Sequence, residues 1–131
     1  MKKDLHIGNQ TIACVCNALT PFLFTEIFHK DFLTTISEFM KFRNKKPEEY
    51  TAEDLAFVSA RTSTFAEIAF IFAKQAEFED VEKLLELSRL DFYKWLSSVD
   101  EARAFSSGVV LREIIELWLG NTQTTTESKN D

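Results

Sequence analysis

Residues 18–42, Ala-Leu-Thr-Pro-Phe-Leu-Phe-Thr-Glu-Ile-Phe-His-Lys-Asp-Phe-Leu-Thr-Thr-Ile-Ser-Glu-Phe-Met-Lys-Phe, leave this chain little freedom in how it can fold. Wound at about 100° per residue, Phe24, Phe28, Phe32, Leu33, Ile36, Phe39 and Met40 fall on one broad face. Glu26, Lys30, Asp31, Thr34, Ser37, Glu38 and Lys41 fall on the other. That pattern predicts an amphipathic helix whose buried stripe is mostly aromatic. Thr20 reads as its N-cap, with the hydroxyl accepting an orphan N–H, and Pro21 suits N1, where no donor is missed. Taken alone, such a stripe marks a core helix.

Composition narrows the class. A chain of 131 residues suits one domain that buries roughly two-thirds of its unfolded surface. Apolar residues make up 45% and charged residues 27%, a globular balance. The net charge of -6 and pI near 5.0 lack the basic footprint of a nucleic-acid binder. No apolar run is long enough to span a membrane, and Met1-Lys2-Lys3 leads into Asp4 rather than a secretory core, so a soluble cytoplasmic protein is expected. With 3 Gly and 2 Pro there is little turn chemistry for an all-β fold.

Along the chain, residues 5–17 read as a β-hairpin turning at Gly8-Asn9-Gln10, with Ile12, Cys14 and Cys16 on one face. A charged connector, 41–50, follows the aromatic helix, and Pro47 interrupts any helix through it. Thr51-Ala52-Glu53-Asp54 is a capping pattern that opens a second helical region, interrupted near Arg61-Thr62-Ser63-Thr64. Residues 65–76 are apolar nearly all round, apart from Glu67, Lys74 and Gln75, which predicts a helix in the middle of a bundle or between subunits. Asp80 opens a short helix with Val81, Leu84, Leu85 and Leu87 facing inward. Ser88-Arg89-Leu90-Asp91 caps another over 90–98, and a last helix covers 109–119 and stops at Gly120-Asn121. The fold class is therefore mainly α: one small helical bundle, 1–120, preceded by a short hairpin. Residues 121–131 form a polar, disordered tail.

The chemistry-bearing residues are few. Cys14 and Cys16 are the two cysteines. A disulfide between strand positions i and i+2 has poor geometry, and a zinc site would have to recruit His6 and His29, so two reduced, buried thiols are the plain reading. A Cys/His nucleophile pair drawn from the same residues is the enzymatic alternative. No P-loop, dinucleotide glycine motif, His-Glu-x-x-His or nucleophile elbow is present, so no catalytic residue, cofactor or metal ligand is assigned. Thirteen Phe and two Trp look like more aromatic residues than short helices can bury. The surplus predicts a groove or self-association surface, for which Phe24, Phe28, Phe70 and Trp118 are the candidates, although each also suits plain core.

The order Ala18, Thr20, Pro21, Phe24, Phe28, Lys30, Asp31, Phe32, Leu33 resembles the N-terminal signature of the tail assembly chaperones of long-tailed phages and prophages of Gram-positive bacteria. Relatives often carry Gly before the Lys-Asp pair, where this chain has His29, so the helix is expected to run through. The segment Ile68-Ala69-Phe70-Ile71-Phe72-Ala73-Lys74-Gln75-Ala76 is similar to the family's Ile-Ala-Tyr-x-x-Ala-Lys-x-Ala. Phe92-x-x-Trp95-Leu96 and the Leu117-Trp118-x-x-Asn121-x-x-Thr124-Thr125 junction also resemble it. The resemblance implies a non-covalent chaperone in the cytoplasm of the bacterial host, absent from the mature virion. It would bind the tape measure protein and tail tube protein, self-associate, and have no nucleic-acid or membrane partner. A small helical adaptor or regulatory protein acting through one protein partner is the alternative reading.

Overall fold

The chain begins with an antiparallel hairpin, β1 (Lys2–Ile7) and β2 (Gln10–Val15), in which Leu5 lies opposite Ile12 and Ile7 opposite Gln10. The turn is two residues long, and Gly8 takes φ 61, the conformation a tight hairpin asks of its first turn residue. A side chain there would also meet the Glu101 carboxylate, 2.5 Å from the position of an added Cβ. The computed structural model describes residues 2–106 and 108–130, without the side chains of 121–130.

Seven α-helices follow among the described residues: α1 (Thr20–Phe28), α2 (Phe32–Phe39), α3 (Ala52–Ala60), α4 (Thr62–Glu77), α5 (Val81–Leu85), α6 (Arg89–Leu96) and α7 (Gly108–Asn130). Short 3₁₀ turns, Met40–Phe42 and Pro47–Glu49, occupy the connector. The mainly helical bundle with an N-terminal hairpin is thus as the sequence predicts. The caps at Thr51, Asp80 and Ser88 fall where the patterns place them. In the Thr51 and Ser88 boxes a hydroxyl accepts the N3 amide, while the N3 aspartate accepts the N-cap amide in return.

The aromatic helix does not run through. His29 ends α1 in the left-handed region, φ 56 and ψ 36. Asp31 then caps α2 by accepting the Thr34 amide at 2.8 Å, which satisfies one of the new helix's orphan donors. The break changes what the stripe can do. Eight residues of continuous helix would set Phe24 and Phe32 about 12 Å apart along the axis. Their rings instead meet edge to face at 5.3 Å, because the stripe folds back on itself. Leu33, expected on the buried face, is turned out to 55% exposure by the same change of direction. The capping role proposed for Thr20 is also corrected. Thr20 is fully buried, and its hydroxyl accepts the Asn17 amide while donating to Gln75 of α4.

At the centre lies α4, buried from Phe65 to Ala73 and again at Gln75. It packs against β2 on one side and against α1, α6 and α7 on others, while α7 lies along the free edge of β1. There Glu113 accepts the His6 amide at 3.1 Å, covering a strand edge that would otherwise offer itself for pairing. Lys3 is ion-paired with Glu116 of the same helix, and this holds the Glu116 carboxyl below its ordinary range. The three polar residues of the apolar α4 run each have a partner. Glu67 accepts from Lys30 at 2.8 Å, Gln75 joins the Thr20 network, and Lys74 pairs with Glu77.

The aromatic surplus is absorbed. Ten of the thirteen Phe are buried, Phe57 and Phe78 are partly buried, and Phe22 is exposed. A bundle of short helices accommodates them because the breaks bring rings together edge to face, as in Phe39–Phe65 at 5.0 Å and Phe28–Phe92 at 5.2 Å. α7 is continuous through Gly120, which stays helical rather than taking the left-handed position of a stop. The expectation of a disordered tail at residues 121–131 falls outside the residues described in full.

Cys14 and Cys16 are both free and buried beneath the hairpin. Burial pushes the Cys14 thiol up to about 12 and the Cys16 thiol to about 11, so neither is a thiolate near neutrality. Thiol reagents at pH 8 should leave both unmodified in the native protein and titrate two groups in denaturant. Replacing both by Ala should destabilise by about 1–2 kcal/mol through lost packing. Rapid native labelling, or stoichiometric zinc by elemental analysis, would contradict this placement.

Candidate partner-binding surface

Residues from three of the four resembling segments meet in one place. From the first segment, Thr20 donates to Gln75 and Lys30 donates to Glu67, so both hold onto α4, in and beside the second segment. The Asn17 side-chain oxygen accepts from Gln75 at 2.8 Å and from the Leu19 amide at 2.9 Å, locking the exit of the hairpin to the start of α1. From the third segment, Phe92 lies 5.2 Å from Phe28 and 5.5 Å from Phe70, and Trp95 lies 5.7 Å from Phe70. Three stretches far apart in sequence thus form one packed unit around Phe28 and Phe70.

That packing decides where the candidate residues sit. Phe24 and Phe70 are wholly buried and Phe28 is 4% exposed, so none of the three presents a face to a partner. Trp118 is partly buried, with its ring edge to face on Phe32 at 5.1 Å. The four do not line an open groove. Large exposed apolar side chains occur elsewhere: Phe22 on α1, Leu33 on α2, Leu55 on α3, and Val109 on α7. Val81 and Leu85 of α5, and Leu90 and Tyr93 of α6, complete that set. The inward placement expected for Val81 and Leu85 is therefore wrong. A helix of five residues makes little more than one turn and offers the core one position, which Leu84 takes.

Of the several concave regions at the surface of the described residues, two touch α6. One, of about 320 Å³, is bounded by Thr62, Ser63 and Ala66 of α4 and by Leu96, Val99 and Phe105. The other, of about 470 Å³, lies between α5 and α6 and is lined by Phe78, Lys83, Glu86, Leu87 and Asp91. The sequence signals the second through its composition. Carboxylates crowd residues 77–91, and exposed leucines are interleaved with them.

The groups considered for catalysis are kept apart. Leu5 and Ile7 of β1 face inward with Cys14, whereas His6 points to the other side, with Nδ1 2.8 Å from Glu113 Oε2. His29 is exposed at the end of α1. No cluster of three or more metal-ligating side chains occurs among the described residues. Among them, too, no single helix is long and apolar enough to cross a membrane. No family model, curated protein or solved structure matches this chain.

Proposed function

We propose that this protein is a tail assembly chaperone of a long-tailed phage or prophage, acting in the bacterial host by holding the tape measure protein soluble until tail tube subunits replace it. The convergence of the resembling segments carries the reading. Thr20, Lys30 and Asp31, the polar residues of the signature, each make a specific bond that organises the α1–α2–α4 unit. Phe28, Phe70, Phe92 and Trp95, from three of the four segments, pack together against it. Residues from three of the resembling segments thus meet in one packed unit, which is what a fold shared with that family requires. The acidic charge and the exposed apolar side chains suit a protein whose work is to cover apolar helical stripes of another chain. Exchange for tube protein requires only a tighter tube–tape contact, so no nucleotide enters the mechanism.

Co-expression with the tape measure protein of the same phage or prophage tests the proposal. The tape measure protein should move from the pellet to the soluble fraction and co-elute with this chain on gel filtration, where the chain alone should run as a small oligomer. An insoluble tape measure protein and no complex would end the reading.

A further inference from the structure

Half of the eight large apolar side chains exposed among the described residues stand within thirteen residues of chain, on α5 and α6. Residues 77–91 also hold six carboxylates, Glu77, Glu79, Asp80, Glu82, Glu86 and Asp91, against Lys83 and Arg89. That segment accounts for a net charge of −4 in a chain of −6. Where α5 leads into α6 there is a concave region of about 470 Å³ lined by Phe78, Lys83, Glu86, Leu87 and Asp91. The Phe78 ring already attracts cations: Lys74 Nζ lies 5.4 Å and Lys83 Nζ 5.9 Å from its centroid.

We propose that this α5–α6 face is the docking surface for a basic amphipathic helix of the partner, an assignment that rests on the chaperone reading above. Leucine-type side chains at i, i+3 and i+4 on that helix cover Val81, Leu85, Leu90 and Tyr93, and flanking Lys or Arg side chains reach Glu79, Glu82 and Glu86. Charge selects this occupant over the others. Phosphates of nucleic acid and of anionic lipid are repelled by the carboxylates, and a second copy presenting the same face brings like charge against like. A basic helix gains attraction at the rim while burying apolar surface at the centre. Its association should therefore be fast and weakened by salt.

The probe is a fluorescently labelled amphipathic Leu/Lys peptide of about 18 residues, long enough for five turns, titrated with the full chain and followed by anisotropy. Binding should weaken at least ten-fold in the double variant Leu85→Ser, Leu90→Ser and in the charge reversal Glu82→Lys, Glu86→Lys. It should stay within two-fold in Leu55→Ser, an exposed leucine on α3, and in Glu26→Lys, Glu48→Lys, a reversal elsewhere. Patch variants that bind like wild type, controls that lose as much, or a Leu/Glu peptide that binds equally well would overturn the assignment. Hydrogen exchange on the wild-type complex decides the point without any variant: peptide-induced protection belongs at residues 78–93, and protection confined elsewhere refutes it. Co-expression keeps the two readings apart. A soluble tape measure protein with the Leu85→Ser, Leu90→Ser variant removes this face and leaves the chaperone standing. An insoluble one with the wild type removes the chaperone, while the peptide footprint still decides the face.

Discussion

Phe70→Ala should destabilise the protein by about 3–5 kcal/mol and lower its Tm by roughly 10–20 °C. Phe70 is wholly buried in the middle of α4, with Phe92 at 5.5 Å, Trp95 at 5.7 Å and Phe28 at 6.3 Å around it. Truncation removes the ring's transfer free energy and leaves a cavity whose walls are themselves large rings on two other helices, α1 and α6, which cannot all close on it. The three edge-to-face pairs are lost as well. The loss is a large fraction of the 5–15 kcal/mol typical of a whole domain, so the variant is expected to be partly unfolded at 37 °C. Thermal melts followed by circular dichroism check this. A variant that melts like the wild type yet no longer keeps the proposed tape measure partner soluble would return Phe70 to a binding groove.

The second large effect is expected at Thr20. Thr20→Val keeps the shape of the side chain but removes a hydroxyl that both accepts the Asn17 amide at 3.0 Å and donates to Gln75. Gln75 is 6% exposed, so its carbonyl oxygen is left buried without that donor. A cost of about 1–3 kcal/mol is expected for such an orphaned group. The diagnostic is the double variant. Thr20→Val combined with Gln75→Leu removes both ends and should recover a good part of the loss, giving a coupling energy of about 1–2 kcal/mol in a denaturation cycle. Strict additivity of the two substitutions would mean that the Thr20–Gln75 bond does not tie α1 to α4.

Both variants probe one design. The carboxyls of Asp31 and Asp54 are held below their ordinary range, Asp31 by the Thr34 hydroxyl and amide, and Asp54 by Lys45 and the Thr51 amide. The sign follows from the direction. A lowered folded-state value contributes stability above the ordinary carboxylate range and loses it as pH falls through the folded value. Cap bonds and the ion pair of Asp54 with Lys45 thus favour the fold near neutrality and weaken in acid.

Local signals were legible in the residues themselves. The hairpin could be read from Gly8 and the β-branched arm after it, since only a residue free to take positive φ turns a chain so tightly. Helix starts at Thr51, Asp80 and Ser88 could be read because a cap is a bond between side chain and backbone within four residues. The all-round apolar run of 65–76 announced the central helix for a similar reason: burial on every side leaves no face for charge.

What the sequence could not settle is which of two adequate partners a side chain would take. Thr20 reads equally well as a cap and as a buried donor, and only the arrival of Gln75, 55 residues later in the chain, decides for the second. The stripe of 24–40 suits one long helix or two short ones. The break at His29 wins because it lets Phe24 and Phe32 share a contact that an unbroken helix would forbid, and because Lys30 then reaches Glu67. Counting thirteen Phe could not tell core from groove, since edge-to-face packing depends on angles between helices that no local pattern encodes. Chain chemistry over a few residues fixed the elements. The tertiary structure decided their faces, because exposure at Leu33, Val81 and Leu85 depends on where neighbouring helices end, and those ends are set by contacts remote in sequence.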